Sequence, residues 1–268
     1  MGNPLIQTIE RRLKYLWRSG SLDFAMNWDR LPSERRSIRV GGHPFHYRTG
    51  TDDSGILNEV LFRTGSRAEY HFPIEGEPEV LFDIGGQMGS ASVFFARRYP
   101  KARIFTFEPM PDNFELLKLN TAPYPNVRVF NYGLGSTTGT FRIAGMGNAL
   151  DTGGRSLTDD PELGGGRGFE VEVRAVPEVL AEQGLRRVDL IKIDTEGAEY
   201  DILTAFPEDV LKEVKWMIGE LHDIRDFELL ARLSPWFHIG IEKPKIRFRY
   251  SCFRAVNRAL VARLNTYE

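Results

Sequence analysis

Residues 80–89 read Val80-Leu81-Phe82-Asp83-Ile84-Gly85-Gly86-Gln87-Met88-Gly89. A short apolar run suited to a fully buried strand meets a glycine-rich turn, and Ser90–Arg98 beyond it has the character of a helix. Gly85 and Gly86 permit positive φ and close backbone approach, and Gly89 lets the helix start near the strand. Strand, glycine turn and helix in that order make the nucleotide-binding corner of a wound α/β sheet. A dinucleotide fingerprint needs G-x-G-x-x-G, but the residue two before Gly86 is Ile84, and an acid, Asp83, ends the strand. Asp83 repels a pyrophosphate and attracts a cationic amino-acid moiety. The corner therefore favours S-adenosylmethionine over NAD.

Outward from this corner, β and α units alternate, which demands a mostly parallel sheet with helices on both faces. A second strand, Arg103–Phe107, ends at Glu108-Pro109, and Pro111 opens a helix to Asn120 with a suitable φ and no wasted donor. Val127–Asn131 reads as a third strand, Val188–Asp194 as a fourth and Lys215–Leu221 as a fifth, with helices at Pro177–Gln183 and Ala198–Phe206. Phe169–Ala175 alternates as a strand after a Gly- and Thr-rich stretch, 133–168, expected to be an insertion. Two β-rich runs, Phe237–Ile241 and Ile246–Phe253, are expected to pair antiparallel and close the sheet. Residues 79–268 thus form one wound domain, and 1–78 an N-terminal cap, helical first and irregular afterwards. Within the cap, residues 4–18 place Leu5, Ile9, Leu13, Leu16 and Trp17 on one side of an amphipathic helix. Packing on the main body is the expected use of that side; a homodimer contact or a membrane surface is the alternative.

Composition bounds the partners. The 268 residues carry 35 bases against 37 acids and are 41% hydrophobic, an ordinary globular balance that excludes disordered and collagenous chains. A formal net charge of -2 gives no general reason to expect nucleic acid. The single thiol, Cys252, forms no internal disulfide, and the first residues lack the apolar core of a signal peptide, so a cytoplasmic location is expected. No run approaches the length of a membrane span.

Glu108 falls about twenty residues after the glycine turn, where an acid accepts hydrogen bonds from both ribose hydroxyls. Pro109 then lies against the adenine ring, and Asn131 at the end of the third strand approaches it. With these residues in place, the chain resembles a family. D-I-G-G-Q-M-G (83–89), F-E-P-M-P-D-N-F-E-L-L-K-L-N (107–120) and L-I-K-I-D-T-E-G-A-E-Y-D-I-L (190–203) look like the successive motifs of the FkbM-type methyltransferases. Fainter likeness reaches back to Asp52-Asp53-Ser54 and Glu69-Tyr70. The resemblance implies a Rossmann-like class I methyltransferase fold with a seven-stranded sheet. It implies S-adenosylmethionine as cofactor, held by Asp83, Gly85, Gly86, Gln87, Gly89, Glu108, Pro109 and Asn131. It also implies methylation of a hydroxyl on a sugar, glycan or other natural product. Gly86-Gln87 departs from the Ala-Asn common in the family; Gln87 still offers an amide near the cofactor.

The reacting side can be argued from topology. Ligands of a wound sheet sit beyond the carboxyl ends of its strands. Asp194 ends the fourth strand, Glu220-Leu221-His222 the fifth, and Glu196 follows in the next turn. An alcohol is a poor nucleophile until its proton leaves, so a base or an acidifying cation is needed. His222 is the expected base, with Asp194 and Glu196 beside it. Asp194 and Glu220 also offer hard oxygen ligands for Mg²⁺ or Mn²⁺; the metal-free alternative uses the same carboxylates to orient His222. Glu199 is expected to complement a helix dipole only. In the insertion, Arg155 and Ser156 are candidates for substrate binding. Near the C terminus, Lys243, Lys245, Arg247, Arg249, Arg254, Arg258 and Arg263 face one acid, Glu242. That patch keeps an RNA-binding protein or RNA methyltransferase as the alternative function, although no RNA module accompanies it.

Overall fold

The structure, a computed structural model, describes residues 4–65, 68–70, 77–145, 155–157, 169–222, 225–241 and 251–264. Helices α1 (Pro4–Ser19) and α2 (Leu22–Asn27) open the cap. The stretch read as irregular is then a hairpin, β1 (Arg35–Val40) and β2 (His43–Arg48). Val40 pairs with His43 across a two-residue turn in which Gly41 and Gly42 take φ of 57° and 90°. Positive φ at both central residues is the turn that matches strand twist, and glycine adopts it without strain. Ile38, Val40, Phe45 and Tyr47 alternate inward from the two strands. Asp53, in the short helix α3 (Asp53–Ile56), is fully buried and takes the Arg48 guanidinium at 2.9 Å on each carboxylate oxygen. A π-helical turn, Leu57–Leu61, follows.

The main sheet begins with β3 (Val80–Ile84), all five residues buried, then α4 (Ser90–Arg98), β4 (Arg103–Phe107), α5 (Pro111–Thr121) and β5 (Val127–Phe130). A second sheet intervenes, made of β6 (Gly133–Gly135), β7 (Gly139–Gly145), β8 (Arg155–Leu157) and β9 (Phe169–Ala175) in the order β6-β9-β7-β8. The expected insertion and the strand after it therefore form one four-stranded layer of their own. The chain returns through α6 (Val176–Glu182), β10 (Leu190–Ile193), α7 (Glu199–Ala205), α8 (Glu208–Glu213) and β11 (Trp216–Leu221). It ends with α9 (Asp226–Leu233), β12 (Phe237–Ile241), β13 (Ser251–Asn257) and α10 (Arg258–Leu264). The main sheet is seven-stranded in the order β12-β13-β11-β10-β3-β4-β5, parallel from β11 to β5 and antiparallel at β13 and β12. This is the Rossmann-like α/β fold expected. Of the run expected at 246–253, residues 246–250 lie outside the described residues, and β13 continues beyond it to Asn257, with Phe253 and Ala255 fully buried.

Side chains of β3 alternate between two cores. Phe82 and Ile84 meet residues of α6, α7, α8 and α9, whereas Leu81 meets Ala91 and Phe95 of α4. The cap adds a third core, in which Tyr15, Phe24 and Tyr47 pack with Met88, Val93 and Leu116 of the main body. The Asn120 amide ties the hairpin to the glycine turn, donating to the carbonyls of His46 (2.9 Å) and Met88 (2.8 Å).

At the opposite end of the sheet Asp189, 2% exposed, accepts the N–H groups of Glu79 (2.7 Å) and Val80 (2.9 Å) and pairs with Lys215 Nζ at 2.9 Å. Burial alone would raise its pKa, but Lys215 and the two N–H donors outweigh that and hold it below the usual aspartate value. A depressed folded-state pKa adds stability above the unfolded value, lost as pH falls through the folded one. Asp189→Ala is expected to cost about 2–3 kcal/mol near neutral pH. The difference from wild type should shrink as pH drops below about 4, measured by urea midpoints at unchanged slope.

Candidate active site

The glycine turn rests on the end of β10. Gly85 has φ of 81°, and a Cβ built on it would stand 1.9 Å from the Asp194 carbonyl oxygen, so no other residue fits. This approach joins the turn to Asp194. Beneath it lies Lys192, 4% exposed, whose Nζ donates to the carbonyls of Gly85 (2.6 Å) and Ile84 (3.3 Å) and lies 3.4 Å from Asp83 Oδ1. Burial alone would lower the lysine pKa; the charges of Asp83 and Asp194 outweigh it and raise it. Asp83 is fully buried and accepts the Ser92 hydroxyl at 2.6 Å. Its charge is thus met from inside by Lys192. Lys192 escaped the sequence reading, yet a lysine amid the apolar run Val188–Ile193 was its signal.

Glu108, 5% exposed at the end of β4, spreads its two oxygens: Oε2 accepts Gln87 N–H at 2.8 Å and Oε1 accepts Met110 N–H at 2.9 Å. Burial pushes its pKa up to about 7 against these donors. The Asn131 amide donates to the carbonyls of Glu108 (3.0 Å) and Pro109 (3.2 Å), clamping the strand end. Gln87 and Glu196 are the positive-φ residues other than glycine among the described residues, at 46° and 57°. Backbone held in that region costs about 1–3 kcal/mol and concentrates at functional loops.

The acids expected to converge do so around His222. Its Nε2 lies 3.5 Å from Glu196 and 3.4 Å from Glu220, and its Nδ1 lies 3.2 Å from Glu199. Glu199 is therefore more than a dipole partner. Fully buried, it accepts the N–H of Thr195 (2.8 Å) and Gly197 (2.9 Å) and the Thr195 hydroxyl (3.0 Å), which fixes the loop and aims its carboxylate at the imidazole. Burial alone would lower the pKa of His222; hydrogen bonds to Glu199 and Glu220 and the charges of Glu199 and Asp194 raise it to about 11. The surrounding acids thus favour the protonated ring. Asp194 is raised to about 6, chiefly by burial. Ligand atoms of Asp194, Glu220 and His222 lie within 4.8 Å of one another. Glu69, raised to about 7 by burial and by the charges of Glu59, Asp194 and Glu220, is a further acid that the sequence reading did not bring here. Arg254 of β13 donates to its carbonyl at 2.8 Å.

Arg155 and Ser156 belong to β8, the outer strand of the small sheet, and their side chains lie outside the described set. Of the basic C-terminal residues, Lys243, Lys245, Arg247 and Arg249 also lie outside it, while Arg254 and Arg258 serve the carbonyls of Glu69 and Ser234. No helix among the described residues is long and apolar enough to cross a membrane.

Comparison with known proteins gives a consistent picture. Residues 83–243 match the model of the methyltransferase FkbM domain. The chain is similar to the AMB antimetabolite synthetase AmbE of Pseudomonas aeruginosa, 29% identical over 55% of this chain and 8% of that protein. It is similar to the methyltransferase sdnD of Sordaria araneosa, 30% identical over 52% of this chain and 65% of that one. It is also 29% identical to the 2-O-methyltransferase NoeI of Sinorhizobium fredii, over 64% of this chain and 77% of that one. The chain thus spans less than two thirds of the first two relatives.

Removing Lys192 leaves Asp83 enclosed without its cation. Lys192→Met is expected to lower stability by about 3–5 kcal/mol near neutral pH. Without that cation the buried carboxyls fold best when protonated, so the deficit should narrow as pH falls toward about 4. Urea unfolding at several pH values measures both.

Proposed function

The chain belongs to the FkbM methyltransferase family, and from that membership we propose that it transfers a methyl group from S-adenosylmethionine to a hydroxyl oxygen of a sugar, glycan or other natural product. One observation carries the reading: the Gly85 turn and the His222 cluster share a wall, since the turn abuts the carbonyl of Asp194. A cofactor on the turn has its reactive end beside the acids.

The donor set suits the cofactor. The Glu108 carboxylate takes the N–H groups of Gln87 and Met110 and a side-chain hydrogen bond from Asn113, which leaves it acceptor capacity for a ribose hydroxyl. Gly85, Gly86, Gln87 and Gly89 offer close backbone approach, and Pro109 with the Asn131-clamped strand end offers a surface for adenine. Asp83 acts through Lys192 and the turn's carbonyls, as a positioning residue. When bound, S-adenosylmethionine supplies an electrophilic methyl on a sulfonium. Asp194 takes the proton of the acceptor hydroxyl, since Oδ1 is buried and makes no hydrogen bond within the chain. His222 stays protonated and offsets the surrounding acids; Glu199 fixes its ring, and Glu196 and Glu220 share its Nε2 side. Sugar or natural-product acceptors are supported by the family and by the likeness to NoeI, a 2-O-methyltransferase. A cytoplasmic site of action belongs to the same reading.

A second reading is supported by the 4.8 Å grouping of Asp194, Glu220 and His222 ligand atoms: a Mg²⁺ or Mn²⁺ ion there acidifies the hydroxyl instead.

Glu108→Ala is expected to weaken S-adenosylhomocysteine binding by about ten- to a hundredfold in calorimetry; unchanged affinity removes Glu108 from the cofactor site. Asp194→Asn is expected to keep that binding and lose about 10²–10⁴ in turnover. Turnover is followed as a gain of one methyl group in hydroxylated acceptors by mass spectrometry. Activity that survives EDTA supports the carboxylate base; loss restored by Mg²⁺ or Mn²⁺ gives the metal reading.

A further inference from the structure

Of the side of α1 expected to pack onto the main body, Leu16 does so, Leu5 has its side chain outside the described residues, and Ile9, Leu13 and Trp17 are exposed instead. Tyr15 points inward, with its ring 5.2 Å from Phe24 and 5.5 Å from Trp28. Ile6, Ile9, Leu13 and Trp17 are 54%, 50%, 61% and 77% exposed. At about 100° per residue these four fall within an arc of about 80° on the side opposite Tyr15. Single exposed apolar side chains are ordinary, but a continuous stripe along one helix, ending in an exposed tryptophan, marks an interaction surface. Leu22 and Met26 of α2, which packs against α1, are exposed as well.

Charge decides the occupant. Helix α1 carries Arg11, Arg12, Lys14 and Arg18 against Glu10 alone. Arg12 and Lys14 flank the stripe about 100° to either side of Leu13, with Glu10 between Lys14 and the stripe, so the helix is basic in net charge. Lys14 lies in the positive field of Arg18, Arg63 and Arg11. Three bases also grip the cap: Arg12 pairs with Asp29 at 3.4 Å, Arg11 lies over the Trp28 ring at 5.0 Å, and Arg18 donates to Asn58 at 3.0 Å. The stripe is thereby held outward. Two copies meeting through this face would bring two basic helices together, whereas an anionic bilayer matches the apolar stripe and the net basic charge of the helix at once. With 16 residues, α1 suits lying in the interface.

We propose that α1 is an interfacial membrane helix: Ile6, Ile9, Leu13 and Trp17 enter the head-group region of an anionic lipid bilayer, and Lys14 reaches its phosphates. Tyr15, on the inner side, shares its core with Met88 of the glycine turn, so the active site is held at a fixed position relative to the membrane. The inference does not depend on the chemistry proposed above.

Flotation of the full chain with vesicles tests it, using phosphatidylcholine alone or with about a third phosphatidylserine. The wild type is expected to float with the anionic vesicles and about tenfold less with the neutral ones. Leu13→Ser combined with Trp17→Ser should reduce flotation about tenfold with the melting temperature unchanged, because both side chains are exposed. Lys14→Glu, which leaves the stripe intact, should weaken only the preference for anionic lipid. A wild type that stays with the unbound fraction overturns the proposal, as does a double variant that floats equally well. A concentration-dependent dimer in sedimentation velocity, abolished by the double variant and without vesicle binding, assigns the stripe to a second copy instead.

Discussion

Everything at the active end of the sheet hangs on a lysine buried under the glycine turn. An ammonium removed from water is stable only where opposite charge and acceptors replace its hydration. Lys192 finds these in Asp83 and in the carbonyls of Ile84 and Gly85. The two carbonyls belong to the segment that passes from β3 into the turn. The cation is therefore both a charge balance for Asp83 and a peg that fixes where the turn leaves the sheet. Ser92 extends the anchorage into α4 through its hydroxyl on Asp83. Strand, turn and helix are thus locked at one buried point, and the Gly85 contact carries the lock to Asp194.

That arrangement has an electrostatic consequence on the other side of Asp194. Acids from the turn after β10, from α7 and from β11 surround His222, and so much negative charge near the ring raises its pKa. The same acids that draw attention to His222 in sequence stabilise its protonated form. Asp194, deep in the same cluster, has its charged form disfavoured by burial, which raises its pKa to about 6.

The main sheet was legible because parallel strands buried on both faces read as apolar runs, and Val80–Ile84 is such a run. The acids at the strand ends were legible too, since their place beyond the sheet follows from topology alone. Three features were not legible, each for a physical reason. The hairpin at Arg35–Arg48 has a Gly-Gly turn and period-two alternation, but its strands are short and polar outward, so the signal is diluted. Glu199 reads locally as a first-turn acid of α7; only the fold of the Thr195–Gly197 loop turns it toward His222. The apolar side of α1 was correctly placed on one face of a helix, but periodicity reports that a face exists and not which neighbour it meets.

The two strained residues link these observations. Gln87 and Glu196 hold positive φ without being glycine, and each sits where a loop must deliver a group to the site: Gln87 its N–H to Glu108, Glu196 its carboxylate to His222. Neither conformation is favoured locally. Each persists because a buried carboxylate over-determines the loop around it, Glu108 through Gln87 and Met110, Glu199 through Thr195 and Gly197. The same device thus appears on both sides of Asp194, with a buried acid taking backbone N–H groups from a turn that would otherwise relax. Buried carboxylates act in this fold first as clamps on backbone. Among the described residues of this cluster, the Oδ1 of Asp194 is the buried carboxylate oxygen that no such clamp engages.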